Sequence, residues 1–441
     1  MNTDKDARNG LSTQELRFVM THTAKRAKRS ARAPVRKSSL FFLALSVFIC
    51  VHPWFQIAVH AAPPDAQVLA GIDVLEAQRF APLSGKRLGL ITNQTGVDRG
   101  RRSTIDLLAH APGVKLEALF SPEHGIRGAL DERVPSSTDE ATGLPVYSLY
   151  GDDVRPTDAM LAGLDALVFD IQDAGVRFYT YITTMGYTME AAAKHRLGYY
   201  VLDRPNPLGG ERIEGPMLDR KRTDFTAYFP MPVRMAMTLG EMAQMFNAEN
   251  KIGCDLHVIL IQNWSRRDLF DATGLPWVDP SPNLRSLTAE ILYPGLEILQ
   301  AGGVSVGRGT DRPFERIGAP WMRGAEFSEY MKRRSVPGVR FVPDRFTPDS
   351  GLFKGEMCEG ASVVVTNRDS FASMRMGIEI AAALAKLYPR NFDATKIIAL
   401  VGNAETIRRL KAGDAPAAIV TGWNEDLEIF RKMRAKYLLY P

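Results

Sequence analysis

RLGLITNQTGVDRGRRSTIDLLAHAPGVKLEALF, residues 87–120, decides the fold. Its first six residues, 87–92, are a short apolar run of the kind a buried strand requires. Ser103 then stands where an N-cap belongs, ahead of a helical pattern that reaches Ala109. Residues 116–120 are apolar again and predict a second strand. A strand, a helix and a strand at this spacing form a crossover unit, which joins parallel strands.

The rhythm continues toward the C-terminus. A helix ends near Leu164, a strand follows at 166–169, a helix at 184–195 and a strand at 199–202. A further helix at 239–250 and a strand at 256–261 extend the pattern. This predicts an α/β protein whose first domain, 62–285, is a Rossmann-like parallel sheet with helices on both faces. From about Pro280 the pattern loosens into a loop-rich stretch containing Ser281-Pro282-Asn283 and Gly307-Arg308-Gly309-Thr310. Strand-like runs at 338–342 and 361–366, with helices near 371–388 and 424–436, predict a smaller α+β C-terminal domain over 286–441.

The chain has 441 residues, 45% hydrophobic and 24% charged, with a formal charge of +5. Residues 1–39 hold ten Lys/Arg against Asp4, Asp6 and Glu15, a net of +7, so the rest of the chain is near −2. The basicity therefore belongs to the leader, and no nucleic-acid partner is inferred for the folded body. A basic stretch, an apolar run at 40–51 and small residues before Ala61 and Ala62 follow the order of an export signal. Residues 1–61 are read as a leader and signal peptide. The mature chain is expected in the periplasm or secreted, without stable membrane association after cleavage. Of three cysteines, Cys254 and Cys358 lie outside the leader; they form one bridge or stay free, and they have no metal-ligand spacing.

Open parallel sheets bind ligands outside the carboxyl ends of their strands. The residues just past each predicted strand are polar in every case. Asn93 and Gln94 follow the first, and Glu123, His124 and Arg127 the second. Asp170, Gln172, Asp173 and Arg177 follow the third, and Asp203, Arg204 and Asn206 the fourth. The first strand lacks a G-x-G-x-x-G turn, which disfavours NAD or FAD, and no phosphate loop, nucleophile elbow or zinc helix is present. No cofactor and no metal are expected. Carboxylates, amides, arginines and tyrosines suit a carbohydrate instead.

Glu123 lies in Ser121-Pro122-Glu123-His124-Gly125. Proline keeps the segment out of helix and glycine lets it turn back. A carboxyl on such a bend, beside Phe120, can act as a general acid, or it can simply pair with Arg127. Asp170 and Asp173 either form a base-and-positioning set or pair with Arg177. Tyr179 and Tyr181 either cover a sugar ring or belong to the core.

These residues fall in strings that resemble the exo-β-N-acetylmuramidase family (NamZ-like glycoside hydrolases) over nearly the whole mature chain. The strings include GLITNQTG at 89–96, LFSPEHGIRG at 119–128, FDIQD at 169–173, RFYTY at 177–181, LDRPNP at 202–207 and SVGRGT at 305–310. The resemblance implies a Rossmann-like domain, a smaller α/β domain and an active cleft between them. It also implies release of N-acetylmuramic acid (MurNAc) from the non-reducing end of β-1,4-linked MurNAc–GlcNAc chains derived from peptidoglycan. The family's catalytic glutamate falls on Glu123, with Asp170 or Asp173, or the substrate's acetamido oxygen, in the second role. Arg177 and Arg308 are the arginines able to grip the lactyl carboxylate of MurNAc. The chain departs from the family at Arg234-Met235-Ala236-Met237-Thr238, where Arg-His-Gly-Met-Thr is common, and at Gly302-Gly303, where Thr-Asn is common. The other reading of the same cleft is a non-catalytic periplasmic muropeptide-binding protein.

Overall fold

The computed structural model describes residues 67–128, 135–219, 222 and 224–441. The leader and its expected cleavage site lie outside the described residues. After α1 (Gly71–Ala77) the chain runs β1 (Arg87–Thr92), α2 (Thr104–Ala109), β2 (Lys115–Ser121), β3 (Ser137–Thr138) and β4 (Pro145–Ser148). It continues through α3 (Asp158–Leu161), β5 (Ala166–Asp170), α4 (Tyr181–His195) and β6 (Gly198–Leu202). A small β7 (Glu214–Met217) and β8 (Pro232–Arg234) ribbon precedes α5 (Leu239–Glu249) and β9 (Asp255–Ile259).

The main sheet has the order β3-β4-β2-β1-β5-β6-β9. All its neighbours are parallel except β3, which lies antiparallel on the edge. The chain moves outward from β1 through β2 and β4, then crosses back to β5, β6 and β9. The topological switch point therefore lies between β1 and β5. Side chains alternate as a pleated strand requires. Leu88, Leu90, Ala166, Val168, Tyr200 and Leu202 pack on one face with α1 and α2. Ile91, Leu167, Phe169, Tyr199 and Val201 pack on the other with α4 and α5. Ser103 caps α2 by accepting the Asp106 N–H at 3.0 Å.

The stretch expected to be loop-rich after Pro280 instead contains a 14-residue helix, α6 (Leu287–Gln300). Beyond it come β10 (Arg316–Ala319), α7 (Gly324–Arg334), β11 (Val339–Phe346), β12 (Cys358–Val365) and α8 (Ser373–Leu387). Four short helices, α9 (Ile398–Val401), α10 (Ala404–Lys411), α11 (Pro416–Thr421) and α12 (Asn424–Arg434), complete the chain. The three later strands form an antiparallel sheet of order β10-β12-β11. This part is α+β, as expected.

Pro294 and Gly295 read as helix breakers, yet they mark the contact between α6 and α8. A Cβ on Gly295 would lie 2.1 Å from the Ser373 carbonyl oxygen, and one on Gly377 would lie 2.5 Å from the Gly295 oxygen. Glycine is the residue that permits such backbone approach. The Gly295 N–H donates to Ser373 Oγ at 2.9 Å, so that donor is satisfied across the helix contact.

The described residues form one compact unit, and one apolar core contains Phe169 and Met185 together with Leu296, Phe327 and Ile380. The tail returns to the first sheet: Tyr440 donates to Asp203 Oδ2 at 2.5 Å and accepts the Ile261 N–H at 3.2 Å. Cys254 and Cys358 are both buried and free, so of the two expectations the unbridged one applies.

Candidate active site

The bend after β2 turns on the residues the sequence singles out. The Gly125 N–H donates to the Pro122 carbonyl at 3.1 Å, and His124 and Gly125 have φ of 71° and 75°. Histidine is among the few residue types that enter the left-handed region with some frequency, and the cost there is about 1–2 kcal/mol. Backbone strain of this kind gathers at functional sites. At Gly128, φ 68°, a side chain would be strained by the backbone, and its Cβ would lie 2.0 Å from the Gln94 amide and displace it. Gln94 in turn donates to the Asp279 carbonyl at 2.8 Å, so it braces this bend against the loop before α6.

Glu123 is half-buried on the bend, and Thr180 Oγ1 at the start of α4 donates to its Oε2. Arg127 does not pair with it; the guanidinium reaches the buried carboxylate of Asp139 at 2.8 Å. Glu123 and His124 open onto a cavity of about 570 Å³, also lined by Tyr150, Phe178, Tyr179, Phe225, Tyr293, Glu297 and Arg308. It is lined by residues from the loops after β2, β4 and β5, from the segment between β7 and β8, and from α6, the 307–309 turn and α9. A ligand pocket is typically about 300–1,000 Å³, apolar with a few placed polar groups. Aromatic faces beside carboxylates and an arginine match the two kinds of surface on a sugar.

Several expected site residues are corrected by this geometry. Asp170 is fully buried and ion-paired with Arg204 at 2.6 and 2.9 Å, and Thr104 also donates to it. Arg177 is 1% exposed and donates to the carbonyls of Pro216, Met231, Leu400 and Val401 at 2.8–3.2 Å; it is a clamp between chain segments, out of reach of a ligand. Asp203 receives Tyr440, Thr238 and the Gly240 N–H. Asn93 holds Thr95 and Tyr181, Gln172 donates to the Pro205 carbonyl, and Asn206 bridges Met237 and Leu208. Tyr181 is wholly buried, its hydroxyl donating to the Pro280 carbonyl at 3.0 Å. Polar strand ends here satisfy one another. The space over the switch point, beside Thr95, Gln172 and Arg204, is only about 10 Å³.

Glu123, His124, Tyr179 and Arg308 are the expected residues that the fold brings to the cavity. Thr180, Tyr293 and Glu297 were missed. The available signal for the last two was the i, i+3, i+7 spacing of Glu290, Tyr293 and Glu297, which places them on one face of α6. The departures from the family strings lie elsewhere. Met235 is wholly buried in the core, and Gly302 is packed against Phe392, where a Cβ would come within 2.3 Å of the ring. Ala236 holds φ 53° where the family commonly has glycine.

Asp173 lies beneath the cavity with Glu290. Burial pushes the Asp173 carboxyl up to about 7, although the N–H groups of Gly175 and Ala174 favour its ionised form. Burial also raises Glu290, with Asp173 adding to it, and neither Glu290 oxygen has a hydrogen-bond partner among the described residues. Unfolded, the Asp173 carboxyl titrates near the ordinary ~3.9, so the folded chain holds an extra proton from there to about 7. Its contribution to stability is complete at the acid end and is lost as pH rises through that window. Urea midpoints measured from pH 4 to 8 should show this decline in the wild type and a flatter profile in Asp173→Asn. Superimposable profiles would refute the assignment.

Comparison with known proteins follows the same lines. Residues 88–288 match the family described as exo-β-N-acetylmuramidase NamZ, N-terminal, and residues 291–440 match its C-terminal counterpart. The chain is 41% identical over 397 residues to the peptidoglycan β-N-acetylmuramidase NamZ of Bacillus subtilis (strain 168), covering 87% of this chain and 96% of that protein. Two crystal structures of DUF1343 family proteins from Bacteroides fragilis NCTC 9343 share the fold. The first has a TM-score of 0.80 at 37% identity and covers 86% of this chain and all of the other. The second has a TM-score of 0.69 at 30% identity and covers 85% and 99%. The chain belongs to the NamZ exo-β-N-acetylmuramidase family of glycoside hydrolases.

Proposed function

We propose that this chain is an exported, exo-acting hydrolase that releases MurNAc from the non-reducing end of β-1,4-linked MurNAc–GlcNAc fragments of peptidoglycan, with Glu123 as the general acid. The observation that carries the reading is Glu123 on a strained bend, opening into a cavity of about 570 Å³ walled by aromatic rings. Glycoside hydrolysis needs a carboxylic acid to protonate the departing oxygen as the sugar acquires oxocarbenium character. The Bacillus subtilis relative, a peptidoglycan β-N-acetylmuramidase, supports that chemistry. Arg177 is committed to backbone carbonyls, and among the described residues Arg308 is the arginine that lines the cavity; a planar fork suits the lactyl carboxylate that distinguishes MurNAc from GlcNAc.

Purified protein incubated with MurNAc–GlcNAc should release free MurNAc, and the reversed disaccharide, GlcNAc–MurNAc, should stay intact. Recovery of MurNAc–GlcNAc unchanged after saturable binding would replace the hydrolase with a muropeptide-binding protein.

A further inference from the structure

The sequence offered Asp170 and Asp173 for the second catalytic role, and neither lines the cavity. Among the described residues that do line it, the carboxylates are Glu123 and Glu297. They come from different walls: Glu123 from the bend after β2, Glu297 from the last turn of α6. Tyr293, one turn before Glu297, feels the charge of both. Carboxyl pairs in glycosidases stand roughly 5–9.5 Å apart on either side of the scissile bond, and a cavity of about 570 Å³ is in the size range of a ligand pocket. Two acids that line one such space and are carried by separate elements can flank one anomeric carbon.

Glu297 is also held as a catalytic group must be. Its side chain is 13% exposed, and Arg308 Nη2 donates to Oε1 at 2.9 Å. Arg308 is fixed in turn by the turn it sits on, with Gly307 and Gly309 at φ of 82° and 74°, and by the Phe314 ring 5.2 Å away. A carboxylate anchored through one oxygen keeps its orientation as substrate arrives.

Resting on the muramidase reading above, we propose that Glu297 is the second catalytic carboxylate, the base that activates the attacking water on the face of the sugar opposite Glu123. The water oxygen bonds to C1 while the bond from C1 to the bridging oxygen breaks, its electron pair staying with the leaving sugar. Glu123 gives its proton to that oxygen, and the proton lost by the water goes to Glu297. Solvent exchange then restores the starting protonation of both acids. The released MurNAc is first formed as the α-anomer.

The test uses the full chain and an aryl β-MurNAc glycoside. Glu297→Ala should lower kcat by roughly 10²–10⁴-fold, with a cooperative melting transition retained at a lower midpoint because Arg308 loses its partner. Added azide, a nucleophile with no proton to lose, should restore turnover and yield the α-glycosyl azide. Glu297→Gln, which fills the space, should be equally slow and should resist rescue. NMR of the wild-type reaction should show the α-anomer first. Glu297→Ala with more than a tenth of wild-type kcat overturns the proposal, as does a slow variant from which azide yields no α-azide, or a β-anomer formed first by the wild type. A wild-type chain that leaves both the aryl glycoside and MurNAc–GlcNAc uncut overturns the muramidase reading itself, before any variant is compared.

Discussion

Glu123→Gln is expected to lower turnover of MurNAc–GlcNAc by roughly 10²–10⁴-fold, with KM and the unfolding midpoint near wild type. That loss is about 3–5 kcal/mol of transition-state stabilisation. Glutamine keeps the size of the side chain, and its oxygen can still accept the hydroxyl of Thr180 that now reaches Glu123. The bend itself is set by Pro122, His124 and Gly125 and does not need the carboxyl. What the amide lacks is a proton to give. The loss should therefore depend on the leaving group. A sugar hydroxyl departs poorly without protonation, whereas a nitrophenolate is stable as the anion. The variant should be severely slowed on the disaccharide and much less so on nitrophenyl β-MurNAc. Equal losses on the two substrates would mean that Glu123 shapes the site and does not protonate the leaving oxygen. Near-normal turnover of the disaccharide would remove it from the reaction.

The parallel sheet was legible because its strands are buried on both faces and so appear as short unbroken apolar runs. Residues 88–91 and 166–169 are wholly apolar, and each run divides its side chains between two separate cores. Helix α6 was not legible, because Pro294-Gly295 carries a local signal opposite to its structural role. The glycine is there for the backbone contact with α8, and nothing near it in sequence announces Ser373 or Gly377. The site divides in the same way. The bend that brings Glu123 to the cavity was legible because it is written in consecutive residues. Arg177, Asp170, Asp203 and Arg204 were overread because polarity at a strand end is the same whether a group meets a ligand or another strand end. Glu297 was lost with its helix. Tyr293 and Glu297 thus depended on a segment whose helical state is decided by packing against α8.

Asp170→Ala should cost about 3–5 kcal/mol of stability, the loss that follows when one partner of a buried ion pair is removed. Arg204 is 7% exposed, and its guanidinium has two bonds to Asp170 and one to the Val97 carbonyl at 2.9 Å. Without Asp170 that cation stays in the interior with its main counter-charge gone, and Thr104 loses its acceptor too. Domains are stable by roughly 5–15 kcal/mol in total, so the variant should unfold at far lower urea than wild type. Its folded fraction should keep kcat within a few-fold of wild type, because Asp170 does not reach the cavity. A large fall in kcat with an unchanged urea midpoint would return Asp170 to the catalytic set. The double replacement Asp170→Leu, Arg204→Met distinguishes attraction from stranded charge. An apolar pair in this place should recover much of the loss, since the penalty comes mostly from the unpaired cation. The pair stands at the switch point between β1 and β5, where folds of this order commonly leave a crevice for a ligand. Here the chain fills that crevice with its own arginine and leaves about 10 Å³. The larger space lies between Glu123 and α6, so under the proposed function the ion pair that stabilises the switch point also leaves the cavity beside Glu123 to the substrate.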